Sequence, residues 1–473
     1  MAITGVTAGA LTPSPRKQTL ASAYIDFADG SSGNDWSQQY LPDLMEKEAE
    51  IFGNRTISGF LSQVGAEEAM ASDQVVWSEQ GRLHLHYKNC TVSTNTITIV
   101  NETDGSASVS THGIRKGDMV LISDANATIR AFVNDVAADT IAVLPYTHAN
   151  IAGAGVASTT NVSVLVYGSE YVKGVTGRDG ANAPTFKSYS NKPIILKDKY
   201  EISGSDASAI GWVEVSGEDG QNGYLWYLKA EGDTRARFTD YLEMAMLESV
   251  SATVTVTNTD SATGGTMTGT EGLFAAIEAR GNQTSGVTGV NAATDLAEFD
   301  AILAEFDKNG AIEENMMFVD RSTALAMDDM LASMNSYGAG GTSYGVFNNS
   351  EDMALNLGFS GFRRGSYDFY KSDWKYLNDA AARGGMIDTV SNIRGAIIPA
   401  GVSSVYDQTL GKNLKRPFLH VRYRASQTES RKMKTWVTGA VGAVTSDLDA
   451  MEVHYLSERC LVVQGANNFM LMN

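Results

Sequence analysis

The longest amphipathic pattern in the chain covers residues 224–250. Apolar side chains recur there at helical spacing, and charged side chains occupy the opposite side. At about 1.5 Å of rise per residue, a helix of this length is a rod of roughly 40 Å. The pattern predicts a long helix that packs one side against a sheet, which we call the spine helix. An ordinary long core helix fits the same residues.

Residues 91–170 follow a different pattern, in which short alternating segments are separated by turn signals. The predicted strands are residues 96–100, 119–123, 129–135, 140–145 and 162–167. Five short strands at this spacing predict a small barrel or sandwich. Residues 74–89 alternate before it as a strand or hairpin, and residues 170–223 form a hairpin-like return. The barrel is therefore interpreted as an insertion.

The remaining segments predict an arm, helices mixed with strands, and a strand-rich end. Residues 1–35 are small, polar and turn-rich, and helical patterns follow up to about residue 70. After the spine helix, the predicted elements are a loop at 264–272, a short helix at 273–281, a helix capped by Thr or Asp at 294–310, a strand at 316–320 and a helix at 321–338. The C-terminal part predicts consecutive strands at 418–425, 433–445, 451–459 and 460–472.

Composition and charge exclude several classes of function. The 473 residues include 43% hydrophobic side chains, which is enough for real cores. With 55 acidic against 36 basic residues the net charge is −19, so the surface as a whole repels nucleic acid and anionic membranes. An acidic surface that faces enclosed DNA would, by contrast, repel the DNA and keep it from binding to the protein. The N-terminus lacks the pattern of a secretory signal, and no apolar run reaches the roughly 18 residues that a membrane span requires.

Candidate catalytic, metal and phosphate sites are weak. His84 and His86 alternate on one strand face with Cys90 as the nearest third ligand, but paired histidines on a hairpin are mostly solvated or structural. The glycine-rich loop at 337–345 lacks the Gly-Lys-Ser/Thr ending of a phosphate cradle. Acidic pairs are expected on the solvated faces of so acidic a chain. The sequence therefore predicts no enzyme, no metal site and no cofactor.

Residues 412–434 contain eight basic residues and a single acidic residue, Glu429, and we call these basic residues the basic cluster. It is interpreted either as a nucleic-acid patch or as a surface complementary to an acidic neighbouring copy. The acidic remainder of the chain favours the second interpretation. The cations predicted to contact neighbouring subunits are Arg416, Arg422, Arg424, Arg431, Lys432 and Lys434.

The order of these elements and the residue patterns of several segments resemble those of one known family. The segments are WSEQGRLHLHY, SNKPIILKDKYEISGSDA, GTEGLFAAIEARGN, ENMMFVD, RSTALAMDDML and DAMEVHYLSERCLVVQGANNF. The chain resembles the major capsid proteins of tailed bacteriophages, which have the Hong Kong 97-type fold. The first two segments look most like those of crAss-like phages. The resemblance covers most of the chain and rests on order and texture.

The resemblance implies an α+β fold with five parts. These are an N-terminal arm with helices at 1–70, an extended hairpin (the E-loop) at 71–223, a small all-β barrel inserted in it at 91–170, a peripheral domain with the spine helix at 224–272 and 415–473, and an axial domain at 273–414. The glycine-rich loop becomes a candidate for the axial tip. Tyr337 and Tyr344 in this loop therefore join the predicted subunit contacts.

The function implied by the resemblance is structural. The chain would assemble as pentamers and hexamers into the icosahedral head of a tailed double-stranded DNA phage, enclosing the genome without sequence-specific binding. Scaffolding, portal and auxiliary or decoration proteins would be its partners, with no membrane. It would be made in the host bacterial cytoplasm and reside in the virion. The alternatives are a β-rich virion decoration or adhesion protein that binds a surface glycan, and then a hydrolase with an unrecognised site.

Overall fold

The computed structural model describes most of the chain with gaps. The described residues are 59–61, 66–81, 84–100, 112–156, 159–178, 180–181, 186–208, 215–216, 222–223, 226–256, 265–310, 312–336, 361–386, 392–400, 402–407, 412–440 and 445–473. The arm predicted at 1–35 and the glycine-rich loop at 337–345 lie outside these residues. The helical pattern predicted before residue 59 lies outside them as well.

The described part of the chain contains strands in every region and six α-helices. The strands are β1 (Ala66–Met70), β2 (Val75–Gln80), β3 (His86–Ser93), β4 (Thr96–Thr98), β5 (Asp118–Ser123), β6 (Thr128–Val136), β7 (Thr140–Pro145), β8 (Val162–Ser169), β9 (Phe186–Asn191), β10 (Ile194–Ser203), β11 (Val215–Ser216), β12 (Asn222–Gly223), β13 (Val254–Val256), β14 (Gly265–Met267), β15 (Asn282–Thr284), β16 (Glu314–Val319), β17 (Gly361–Arg364), β18 (Tyr367–Asp373), β19 (Gly395–Pro399), β20 (Val402–Asp407), β21 (Lys412–Pro417), β22 (Leu419–Arg424), β23 (Lys434–Gly439), β24 (Ala450–Val463) and β25 (Met470–Met472). The helices are α1 (Gly204–Ser208), α2 (Trp226–Glu248), α3 (Leu273–Arg280), α4 (Ala292–Asn309), α5 (Arg321–Ser336) and α6 (Lys375–Asn378).

Strand β24 is the centre of the first sheet. One of its edges pairs antiparallel with β10, and the other pairs with β23 and then β22. Strand β1 adds to β22 in parallel. The sequence predicts two strands at 451–459 and 460–472, but β24 is one strand of 14 residues that runs through this boundary. The polar residues Glu458 and Arg459 are buried within the sheet, so they do not mark a turn.

Helix α2 is the predicted spine helix, and its 23 residues lie on one face of the first sheet. Phe238 and Leu242 are buried against Val453 and Tyr455 of β24. The ring centroids of Phe238 and Tyr455 are 5.9 Å apart. Burying one apolar side chain of this size contributes about 1.5–3 kcal/mol. The apolar side of the helix therefore attaches it to the sheet, as the pattern predicts.

The second sheet has six strands in the order β15-β25-β19-β16-β18-β17. Helices α4 and α5 bury Phe299 and Met327 against it. Helix α4 begins earlier than predicted, because the side chain of Asn291 accepts a hydrogen bond from the Thr294 N–H at 3.0 Å and caps the helix. The helix ends at Asn309, and Gly310 follows it with a φ of 61°, a left-handed conformation that suits glycine.

One hydrophobic core joins the two sheets into a single unit, which we call the body (both sheets with α2–α5). Leu461 of the first sheet and Phe318 of the second are buried in this core with Leu247 at the end of α2. Phe60 also enters it and stacks on Trp374 with ring centroids 4.5 Å apart. Because these residues are far apart in the sequence, the body needs segments from both ends of the described chain to form.

The predicted barrel is present as a closed barrel of six strands, in the order β3-β4-β7-β6-β5-β8. Five of them match the predicted strands. The sixth, β3, begins before residue 91, closes the barrel by pairing with β4 and β8, and buries Cys90 completely. All buried residues of the barrel core lie between Cys90 and Val164.

Two-stranded ribbons extend the described chain at four places, of which β2–β9, β13–β14 and β20–β21 are the longest. Strand β2 pairs with β9 and not with β3, so residues 74–89 form strands of separate units and not a hairpin. The β2–β9 ribbon connects the barrel to the rest of the chain, because β2 precedes the first barrel strand and β9 follows the last one. Strand β14 lies in the segment 264–272, which was predicted to be a loop. Its glycine and threonine residues give no strand signal, although the strand pairs with β13.

Candidate functional site

Five of the six cations predicted to contact neighbouring subunits lie on the first sheet or on the turn that joins β22 to β23. Strand β1 places Glu68 beside Arg422, and Arg422 Nη2 lies 2.7 Å from a Glu68 oxygen. Arg424, two residues further along the strand, contacts Asp73 and lies 3.5 Å from Glu458. Both arginines therefore bind carboxylates of their own chain.

The cations that follow β22 are paired in the same way. Arg431 Nε lies 2.6 Å from Glu458, and Lys434 Nζ lies 2.6 Å from Glu429. The Lys434 ammonium also sits 5.8 Å from the ring centre of Trp436. Because the basic side chains of these pairs are partly exposed, solvent screens the ion pairs and they contribute little to stability. Their main effect is to fix the positions of the charges.

Arg459 of β24 joins the cluster, although the sequence analysis did not single it out. Its Nε donates to Ser457 Oγ and its Nη2 donates to the Lys432 carbonyl, both at 2.9 Å. Its Nη1 lies 3.8 Å from Glu67, which also contacts the Lys432 ammonium. Burial lowers the pKa of Arg459, and Glu67 opposes that shift. In the sequence, the burial of Arg459 is indicated only by its position within the mostly apolar run that forms β24.

The other predicted contact residues are not placed. Tyr337 and Tyr344 lie outside the described residues, and Arg416 is in β21, whose side chains lie outside them too. A role of any of these residues between subunits stays a prediction. The five described cations of the prediction share the carboxylates of β1, β24 and the adjoining turns within one chain.

A buried asparagine fixes the base of the β2–β9 ribbon. Asn191, at the end of β9, is 3% exposed. Its Nδ2 donates to the carbonyls of Glu271 at 3.0 Å and Leu461 at 2.7 Å, and its Oδ1 accepts from the Thr270 hydroxyl and the Glu271 N–H. No local pattern in the sequence marks this role, since the partners are 79 to 270 residues away.

Arg280, the last residue of α3, also contacts the base of the β2–β9 ribbon. Its guanidinium carbon lies 4.4 Å from the ring centre of Tyr189 and 5.6 Å from that of Trp77. Its Nη2 donates to Glu271 at 2.5 Å, and Nη1 lies 4.0 Å from Glu79. Burial raises the pKa of Glu271 although Arg280 opposes that shift. Together with Asn191, these contacts join the ribbon to the body, and we call the set the ribbon base.

A second buried polar contact joins the spine helix to the first described residues. The carboxylate of Glu243 accepts hydrogen bonds from the Gly59 N–H at 2.7 Å and the Phe60 N–H at 2.9 Å. Burial raises the pKa of Glu243, while these hydrogen bonds act in the opposite direction. Next to it the Phe60 ring meets Trp374 at 4.5 Å and Phe318 at 4.6 Å. The chain therefore enters the body at a fixed point.

The sequence matches no protein-family model and no curated protein. Solved structures do match it at low identity. A chain of Gordonia phage Cozz is 11% identical over 96% of both chains with a TM-score of 0.42. A chain of Mycobacterium phage Ogopogo is 9% identical over 90% of this chain and 96% of its own, with a TM-score of 0.42. The capsid structure of cyanophage P-SCSP1u is 11% identical over 91% and 92%, with a TM-score of 0.38. At such low TM-scores the likeness does not by itself assign the fold.

The candidate histidines lie at a groove between the barrel and α4. His84 and His86 line a cavity of about 500 Å³ together with Asp307 and Asn309. Cys90 is buried in the barrel core, and neither cysteine forms a disulfide. Across the described ranges, no group of three or more His, Cys, Asp or Glu side chains is arranged to hold a metal ion. Likewise, no helix in these ranges is long and apolar enough to cross a membrane.

Proposed function

We propose that the chain is a major capsid protein, a structural subunit that assembles with its copies into the icosahedral head of a tailed double-stranded DNA phage. The observation that carries this proposal is the set of two-stranded ribbons that extend from a well-packed body. Two-stranded ribbons are marginally stable in water unless other surfaces support them. A subunit with several such ribbons is therefore suited to contact several neighbours.

The exposed apolar side chains of the ribbons support the same proposal. Val76 on β2 is 62% exposed, and Val254 and Met267 on the β13–β14 ribbon are 54% and 55% exposed. Exposed apolar side chains on such ribbons are available to contact other chains. Several weak contacts per subunit add to a stable closed shell, because each subunit is held at many interfaces at once.

The parts implied by the sequence resemblance complete the proposal. The β2–β9 ribbon and the barrel fall within the E-loop (71–223), α2 and β22–β24 within the peripheral domain (224–272 and 415–473), and β15–β19 within the axial domain (273–414). Pentamers and hexamers, scaffolding, portal and decoration partners, and membership of the crAss-like phages are expected from the same resemblance. In this proposal the chain is made in the bacterial cytoplasm and has no enzymatic role.

The charge distribution supports enclosure of DNA without specific binding. The net charge of −19 repels phosphate, and the five described cations of the basic cluster are engaged with carboxylates of the same chain. A nucleic-acid patch would need such cations to meet phosphates. The ion pairs occupy these cations towards an acidic neighbouring copy as well, so it is the net charge that makes the nucleic-acid interpretation the weaker one.

The decisive experiment is negative-stain electron microscopy of the purified full chain, with sedimentation at several salt concentrations. Closed shells or rings of five and six subunits are expected, with or without a co-expressed scaffold. Discrete trimers would instead favour the decoration or adhesion protein. Monomers that stay monomeric in the presence of every candidate scaffold would contradict shell assembly.

A further inference from the structure

A cleft on the outer surface of the barrel has the features of a ligand site. Its volume is about 650 Å³, within the range of roughly 300–1,000 Å³ typical of small-molecule sites. Phe132 and Asn134 of β6 form one side. Glu170, Tyr171 and Val172, where the chain leaves β8, form the other. Val172 is 79% exposed, so the cleft opens to solvent.

The aromatic side of the cleft is held in place by the backbone. Gly117 has a φ of 90°, and a Cβ added there would lie 2.7 Å from Cε1 of Tyr171. The Tyr171 ring therefore packs directly on this glycine. Further along, Arg178 Nη2 lies 2.9 Å from the fully buried Asp118, which attaches the departing chain to the barrel. The cleft is preformed by these contacts.

The polar groups of the cleft are oriented and almost neutral in sum. The Tyr146 hydroxyl donates to Glu170 at 2.6 Å, and this bond raises the pKa of Tyr146 to about 12, so the hydroxyl remains a donor. The Lys116 ammonium is paired with Asp135 at 3.0 Å. Glu170 keeps further acceptor capacity, and Asn134 offers both donors and an acceptor.

These features discriminate among classes of ligand. A phosphate-bearing ligand is disfavoured because, among the described residues that line the cleft, the one lysine is paired and Glu170 adds negative charge. An extended peptide that adds a strand is disfavoured because β6 already pairs with β5 and β7 along both edges. A purely apolar ligand would bury the Asn134 amide and the remaining acceptor capacity of Glu170 without offering either a hydrogen bond.

We propose that this cleft binds a neutral saccharide. The C–H face of a pyranose is apolar and slightly positive, so it packs on the negative face of an aromatic ring such as Tyr171 or Phe132. Its hydroxyls donate to the Glu170 carboxylate and exchange hydrogen bonds with Asn134. The open cleft admits several linked sugar units. The proposal does not rest on shell assembly, because the described residues of the cleft all belong to the barrel and the chain that leaves it.

The test is titration of the full chain with maltotriose, chitotriose and mannotriose, followed by calorimetry and saturation-transfer NMR. At least one trisaccharide should bind saturably. Tyr171→Ala and Glu170→Gln should each weaken that binding by about tenfold or more, which corresponds to about 1.4 kcal/mol. The matched control is Tyr167→Ala, a 46% exposed tyrosine of β8 outside the cleft, which should bind as the parent does.

Two results would overturn the proposal. One is no binding of any of the three sugars at about 10 mM, where even millimolar affinity registers. The other is binding that the Tyr171 and Glu170 substitutions leave unchanged, which would place the sugar outside this cleft. If the cleft substitutions change sedimentation of the protein without any sugar binding, the cleft is a contact between chains and the saccharide assignment is wrong.

Discussion

In the barrel, every buried core residue lies between Cys90 and Val164, whereas the core of the body joins residues as distant as Phe60 and Leu471. Three of the six strand pairs in the barrel join strands that are consecutive in sequence, as β5 with β6 and β6 with β7, and the other three join strands of the same segment. In the body, β1 pairs with β22 and β10 pairs with β24. One unit is thus closed locally and the other is closed by the C-terminal strands.

This difference predicts two kinds of stability. Short loops cost little entropy to close, so the barrel can gain its core contacts without the rest of the chain. The body must order long segments before its core contacts form, which slows folding and makes it dependent on the C-terminus. The ribbon base is where these two units are connected.

The largest expected effect comes from cutting the barrel out. A fragment of residues 84–178 contains all six strands and should fold with a cooperative melting transition in circular dichroism. A fragment of residues 91–170 lacks the first part of β3 and the buried Cys90, so it should remain largely unfolded at the same temperature. Equal melting of both fragments would show that β3 is dispensable and contradict the closed barrel as a unit.

Substitutions in the two cores should act on separate transitions. Phe60→Ala removes a ring stacked on Trp374 and should destabilise the body by about 3–5 kcal/mol. Ile141→Ala, at a fully buried barrel position, should destabilise the barrel by about 2–5 kcal/mol. Denaturant unfolding with hydrogen exchange assigns each loss to its unit. A Phe60 substitution that loosened barrel amides equally would contradict separate cores.

The sequence predicted the barrel far better than the connections of the body. The alternation of apolar and polar residues, with turn-forming residues between the segments, predicts five of the six barrel strands. It does so because each strand has one buried and one exposed face. The first barrel strand was missed because His84 and His86 continue the alternation of the preceding strand. The spine helix was also found, since Phe238 and Leu242 repeat at helical spacing.

Contacts between distant segments gave no local signal. Asn191 and Arg280 look like ordinary surface residues in the sequence, yet they fix the ribbon base through partners in other elements. The basic cluster was visible, but its carboxylate partners Glu67 and Glu68 lie more than 300 residues earlier along the chain. Only the parallel pairing of β1 with β22 explains why these acids and cations meet.

The ribbon base offers an intermediate effect. Asn191→Ala leaves the carbonyls of Glu271 and Leu461 without this donor, which should lower the free energy of unfolding of the body by about 1–3 kcal/mol. The barrel transition should stay where it is, and hydrogen exchange should increase along β2 and β9. Asn134→Ala, an exposed asparagine on the barrel, is the control and should change neither transition. A loss confined to the barrel would place the connection elsewhere.

The smallest effect concerns pH at the entry point of the chain. Burial raises the pKa of Glu243 in the folded protein above the ordinary value of about 4.3 that it has when unfolded. The folded state therefore binds the proton more tightly, so the stability from this group is complete below about pH 4.3 and is lost as pH rises through the raised folded pKa. Glu243→Gln cannot titrate, so the parent's stability relative to this variant should fall as pH increases through that window.

The control for this trend is Phe60→Ala, which weakens the same entry point without removing a titratable group. Its difference in unfolding free energy from the parent should therefore change little across the window, whereas that of Glu243→Gln should slope. Denaturant titrations at closely spaced pH values measure both slopes. A Glu243→Gln difference that moved in the opposite direction would mean that the hydrogen bonds from Gly59 and Phe60 outweigh burial, because they favour the ionised carboxylate.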